Sequence, residues 1–96
     1  MYDIFVYEWD DEKRKTNFAK HCFDFSQAHL VYENPNKLTF SAPHPGENRQ
    51  LDIAFVEAVG KVLTLICVAR GTTVRVISFR MASRKERRVY EASKPN

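Results

Sequence analysis

Ninety-six residues amount to 11.2 kDa, with 44% apolar and 28% charged side chains and a formal net charge of +3, the size of one small domain spanning residues 1–96. A chain this short buries only about 60–65% of its unfolded surface, which excludes a dinucleotide-binding or barrel enzyme. Its longest apolar run, Val62 to Ala69 interrupted only by Thr64, falls far short of the roughly 20 residues of a membrane span. The N-terminus lacks the basic-then-apolar pattern of a secretory signal, so the expected location is cytoplasmic, without membrane contact.

Tyr2 to Trp9 is rich in aromatic and β-branched residues and predicts a short strand. Asp10, the acidic pair Asp11-Glu12 and the basic run Lys13-Arg14-Lys15 suit a helix dipole and predict a helix over 11–21. Asp24 and Gln27 have capping-box spacing and predict a second helix to about Glu33, stopped by Asn34-Pro35. Lys37 to Phe40 fits a brief strand, and Ser41 to Gln50, with two prolines and a glycine, an exposed loop. Leu51 to Val56 alternates as a strand before a turn at Gly60-Lys61, and Val62 to Ala69 reads as a central strand. A turn over 70–73 leads into Val74 to Met81, so the three strands form an antiparallel meander. Ser83 and Glu86 make a capping box for a last helix to about Ala92, with a narrow apolar stripe of Ala82, Val89 and Tyr90, and 94–96 form a frayed tail. The sum is an α+β chain: a short N-terminal strand and two helices, then a β-meander and a C-terminal helix. Cys22 and Cys67, flanked by apolar neighbours, are expected to be reduced, buried small hydrophobes.

The net charge conceals a division. Residues 1–60 carry six Lys/Arg against ten Asp/Glu, and residues 61–96 nine against two, so −4 precedes +7. Such asymmetry points to a polyanion on the basic part, the plain alternative being a solvated cationic helix. His21, His29, His44, Cys22 and Cys67 show no zinc-site spacing, and the glycines at 46, 60 and 71 build no phosphate loop, so neither metal nor cofactor is expected. What remains is a set of arginines on the last hairpin and helix: Arg70, Arg75, Arg80, Arg84, Arg87 and Arg88. Guanidinium groups grip phosphates bidentately and keep their charge. RNA can then be cleaved without metal, its 2′-hydroxyl attacking phosphorus while cations stabilise the phosphorane. Lys20 and His21 are candidates for acid or base; the alternatives are a cationic helix cap for His21 and solvated surface for Lys20.

Two segments resemble the BrnT family of type II toxins within the RelE-like ribonuclease superfamily. The first comprises Tyr7-Glu8-Trp9-Asp10, Lys13, Asn17, Lys20-His21, Phe25 and Ala28. The second comprises Arg70-Gly71, Val74 to Arg80, Ala82 and Glu86-Arg87-Arg88-Val89-Tyr90. The resemblance covers nearly the whole chain. It implies a RelE-like fold, an endoribonuclease that arrests translation, and a BrnA-type antitoxin that neutralises it in a hetero-oligomer and supplies the DNA contacts of the complex. The family's glycine after Lys-His is Cys22 here, and the polar residue often before Arg-Gly is Ala69.

The catalytic candidates are thus Arg80, Arg70, His21 and Lys20. The RNA-binding candidates are Arg75, Arg84, Arg87, Arg88, Tyr90, Lys13 and Trp9. In a regular hairpin Arg80 pairs near Thr64, about 20 Å along the sheet from Arg70 at ~3.3 Å per residue. Unless a bulge or longer turn shortens that span, the two hold successive phosphates, with Arg80 at the scissile bond. Tyr90 can equally anchor its helix to the sheet, and Trp9 can equally serve the core. Two further readings stay open: a nucleic-acid-binding module without catalysis, such as a repressor component, and a protein-interaction domain built on the last helix.

Overall fold

In the computed structural model, which describes residues 4–94, Asp10 opens the first helix as its charge pattern requires. Its carboxylate accepts from the backbone N–H groups of Glu12 and Lys13 at 2.9 and 3.1 Å, two of the donors a helix start leaves unpaired. The helix, α1, runs over Asp11–His21 and follows a strand, β1, at Val6–Glu8. The strand expected over Tyr2 to Trp9 is thus shorter, because β1 pairs only with three residues of the last strand; residues 1–3 lie outside the described residues.

Helix α1 stops at Cys22, which has a left-handed φ of 63° and donates its N–H to the Phe18 carbonyl. One expectation is corrected: Cys67 is buried, but Cys22 is exposed, both being free thiols. A residue with a Cβ is strained at this dihedral, whereas glycine is not. Cys22→Gly should therefore stabilise the fold by roughly 0.5–1 kcal/mol net of glycine's entropy in the unfolded chain. The check is a thermal melt, where a rise of a few degrees is expected and a fall would refute strain at the cap.

The second helix is also corrected. In place of one helix from Asp24 to Glu33, the chain makes a 3₁₀ turn at Phe25–Gln27 and a single α-turn, α2, at His29–Tyr32. Asp24 makes no cap. Arg14 holds its carboxylate instead, with Nε 2.7 Å away, and the Ser26 hydroxyl donates to it as well. The segment exists to deliver Phe25, Ala28 and Val31, all fully buried, onto the sheet.

Four strands follow: β2 (Leu38–Ser41), β3 (Gln50–Val56), β4 (Lys61–Arg70) and β5 (Thr73–Met81). They form the expected antiparallel meander with β2 added, and β1 joins β5 in parallel to give the order β1-β5-β4-β3-β2. Arg70 pairs with Thr73, leaving a two-residue turn, and Gly71 supplies its φ of +59°, the sign such hairpin turns require. One face packs under the 3₁₀ turn and α2, joining Phe25, Ala28 and Val31 to Leu63, Leu65, Cys67, Val74, Val76 and Phe79. On the other face Ile53, Val62, Ala82 and Tyr90 form a smaller cluster beneath the last helix, α3 (Arg84–Ser93), which opens with the expected Ser83/Glu86 capping box. Asp52 is fully buried but satisfied, since Lys37 Nζ (2.8 Å), Thr39 Oγ1 (2.7 Å) and the Gln50 amide all donate to it; a buried charge persists only when so satisfied. No described helix is long and apolar enough to cross a membrane.

Strand β5 is irregular at one point. Ser78 pairs with Ile66 and Val76 with Cys67, so Ile77 is an extra residue in the ladder. Val76 and Phe79, three apart, consequently both enter the same core, which an unbroken strand of period two cannot do.

Candidate nucleic-acid interface

The bulge also decides where the arginines point. In a regular strand Arg75 and Arg80, five apart, would face opposite sides. With Ile77 inserted, Arg75 opposes Val68 and Arg80 opposes Thr64. Val68 and Thr64 are four apart on β4 and share a side, and Arg70 lies two beyond Val68. Arg70, Arg75 and Arg80 therefore share one face, the one turned away from Phe25 and Val31 and covered by α3 only at one end. The bulge re-aims side chains without shortening the sheet: Arg70 remains six residues from Thr64, about 20 Å at ~3.3 Å per residue. The two arginines cannot grip one phosphate.

Arg80 is the most constrained of the three. Its Nη1 and Nη2 donate to the two carboxylate oxygens of Glu86 at 2.7 and 3.0 Å, and Nη1 donates to the Met81 carbonyl at 3.3 Å. Glu86 also accepts from the Ser83 N–H at 2.8 Å and from the Thr64 hydroxyl at 2.9 Å. The Arg80 guanidinium, ahead of these hydrogen bonds and against partial burial, pulls the Glu86 carboxyl down to about 2. A guanidinium has five N–H donors, so the Nε–H and one Nη2–H of Arg80 stay without a partner among the described residues. Arg75 is held more loosely, 3.8 Å from a Glu8 carboxylate oxygen. It shares with Arg70 a cleft of about 210 Å³ that Glu8 and Glu47 also line.

The lysine and histidine candidates reach this face from the edge of the sheet. Because β1 pairs only with Thr73–Arg75, the outer edge of β5 is open beyond the bulge, and Asn17 takes the place of a neighbouring strand. Its Oδ1 accepts from the Phe79 N–H at 3.1 Å, and its Nδ2 donates to the Phe79 and Phe23 carbonyls at 2.7 and 3.0 Å. With α1 fastened this way, Lys13, Lys20 and His21 line a cleft of about 320 Å³ together with Ile77 and Ser78. Ser78 opposes Ile66 and so belongs to the arginine face, which the cleft therefore borders at Ser78.

The other candidates scatter. Arg84, Arg87 and Arg88 are exposed along α3. Tyr90 is 4% exposed and packs with Ile53 and Val62, so its ring holds the helix to the sheet. Trp9 meets Phe25 edge-on with ring centres 6.3 Å apart and has the Arg14 guanidinium 5.9 Å above it. Burial pushes the Cys67 thiol up to about 12, which keeps it protonated and unsuited to nucleophilic work. Sequence reasoning gave no site role to Asn17, Ser78 or Glu86. The capping box announced Glu86, but its second partner depended on the pairing of β4 with β5.

A sheet face studded with guanidinium groups, bordered by a lysine- and histidine-lined cleft, defines an α+β protein suited to a phosphodiester backbone. Residues 9–86 match the family model for the ribonuclease toxin, BrnT, of type II toxin–antitoxin system. The chain belongs to the BrnT family, which makes it a ribonuclease toxin with RNA as substrate and an antitoxin protein as partner. No curated protein matches the chain.

Proposed function

We propose that the chain, acting as one RelE-like toxin domain in the cytoplasm, is a metal-independent endoribonuclease that arrests translation and is neutralised by a BrnA-type antitoxin. The observation that carries this reading is the bulge at Ile77, which gathers Arg70, Arg75 and Arg80 on one face and borders the cleft holding Lys20 and His21. RNA lies along the arginine face with the scissile phosphate near Ser78. Arg80 stabilises the phosphorane with its two unpartnered N–H donors, and Arg75 and Arg70 hold phosphates further along. Lys20 and His21 supply the base for the 2′-hydroxyl proton and the acid for the leaving 5′-oxygen. Arg84, Arg87, Arg88 and Lys13 add sequence-independent attraction, which salt weakens.

The test is purified protein with RNA in EDTA. Cleavage to 2′,3′-cyclic phosphate ends is expected, together with resistance of a strand carrying 2′-deoxyribose at the scissile nucleotide. Intact RNA that still shifts in a gel would replace this reading with a non-catalytic nucleic-acid-binding module.

A further inference from the structure

The face that carries the arginines is divided. Its β4–β5 half is cationic, whereas its β2–β3 half is apolar: pairing aligns Phe40 with Leu51, and Leu51 with Ile66, in one row across the sheet. Beside that row α3 presents Val89, and between them runs a groove of about 310 Å³ whose apolar lining is Phe40, Leu51, Ile53 and Val89 and whose polar lining includes Lys85 and Glu86, the latter already neutralised by Arg80. Phe40 is 43% and Val89 39% exposed, although each sits on a regular element. Strand β2 ends the sheet, so its outer edge carries no further strand among the described residues. The helix that borders the groove exposes Arg84, Lys85, Arg87 and Arg88, and no described carboxylate lies within salt-bridge distance of any of them.

We infer that this groove anchors the antitoxin through an amphipathic acidic segment, with apolar side chains between Phe40 and Val89 and carboxylates on the cationic rim of α3. The inference rests on the antitoxin partnership of the family, not on the cleavage chemistry proposed above. Charge selects the occupant. A second copy of this chain would set four cations of one α3 against four of the other, at a cost in repulsion. Nucleic acid would satisfy the rim but little of the apolar lining, since bases stack on aromatic or guanidinium planes and Phe40 is the single aromatic ring there, beside the aliphatic Leu51, Ile53 and Val89. A protein segment with alternating or helical apolar anchors satisfies both. Because Glu86, which holds Arg80, also lines the groove, a segment that extends past it reaches over Arg80 and Arg75 and shuts RNA out without entering the Lys20–His21 cleft.

The experiment is to co-express the chain with the product of the open reading frame adjoining its gene, purify the complex, and measure affinity by calorimetry for wild type and for Phe40→Ser/Val89→Asp. Both positions are exposed, so a thermal melt should show the double variant folded. Two apolar anchors lost from the centre of an interface should weaken antitoxin binding at least about 100-fold, leave RNA cleavage unchanged and make the variant resistant to neutralisation. Unchanged antitoxin affinity would overturn the inference, as would failure of the wild-type chain to bind that product. Loss of RNA binding with antitoxin binding intact would assign the groove to nucleic acid. Since affinity is read without cleavage, an inactive ribonuclease would sink the proposed chemistry and leave this inference standing.

Discussion

Arg80→Ala should lower RNA cleavage by about 10²- to 10³-fold, the usual loss when one preorganised donor to a developing oxyanion is removed. Growth arrest on expression without antitoxin should disappear with it. Arg80→Lys should rescue little, since an ammonium cannot hold both Glu86 oxygens and still offer two donors outward. The variant also leaves Glu86 without its strongest partner, so activity must be separated from folding. Glu86→Gln does this, because an amide oxygen still accepts from Ser83 and Thr64 while the ionic grip on Arg80 is lost. The pH dependence follows from the same pair. A carboxyl drawn from 4.5 to about 2 in the folded state contributes stability that is fully present above pH 4.5 and is lost as pH falls towards 2. One pKa unit is about 1.4 kcal/mol, so the contribution is of the order of 3 kcal/mol. The Arg14–Asp24 pair also holds its carboxyl at about 2, but Arg14 is open to water and that pair contributes less. Urea unfolding at pH 7, 4 and 3 should show wild type losing more stability with acid than Glu86→Gln. Parallel acid limbs for the two would mean that the ion pair does not stabilise the fold, and full activity of a folded Arg80→Ala would remove Arg80 from the chemistry.

Asn17→Ala should be the most destabilising alanine substitution outside the apolar core. It strips partners from the Phe79 N–H and C=O and from the Phe23 carbonyl at a site where water has little access, Asn17 being 7% exposed. A buried backbone group left unpaired costs about 1–3 kcal/mol, so roughly 2–4 kcal/mol is expected for the set. At about 4–8 °C per kcal/mol for a chain of this size, the melting temperature should drop by about 10–25 °C. Asn17→Asp keeps the acceptor for the Phe79 N–H but turns a buried carboxylate oxygen towards the Phe79 and Phe23 carbonyls, and should be at least as destabilising at neutral pH. Residual folded Asn17→Ala protein should cleave RNA poorly even at low temperature, because α1 then no longer holds Lys20 and His21 against Ser78. A melting temperature within a few degrees of wild type would show that Asn17 does not substitute for a strand.

Local signals carried much of the fold. Asp10 and Ser83 are caps that work over two or three residues, and both helices they open run where the sequence placed them. The alternation of Leu51 to Val56 and the turn at Gly71 fixed the meander; the Arg80–Thr64 pairing expected of a regular hairpin arises instead from a two-residue turn plus the extra residue at Ile77, since a regular ladder from Arg70–Thr73 would set Arg80 against Leu63. Asp24 shows where such signals fail. Its spacing to Gln27 is a capping box, yet Arg14, ten residues earlier, competes for the carboxylate and wins it, and the expected helix shrinks to two short turns. The candidate site was legible as a set of residue types and not as a surface. Counting along β5 puts Arg75 and Arg80 on opposite faces, and only the extra residue at Ile77 reconciles them. No composition or periodicity in this stretch announces which of eight apolar and polar residues is the supernumerary one. The roles of Asn17 and Glu86 depend on partners 62 and 22 residues away, distances over which spacing says nothing.

The bulge has one more consequence, concerning how this toxin can be disarmed. The two halves of β5 run out of phase, so the same extra residue that turns Arg80 outward turns Phe79 inward. An in-frame loss of Ile77 would straighten the ladder, drive the arginine into the apolar layer and expel the phenylalanine. Core and arginine face are set by a single frame, so shortening this strand cannot remove the proposed site and leave the fold intact. Inactive copies that still occupy an antitoxin must arise by exchanging side chains.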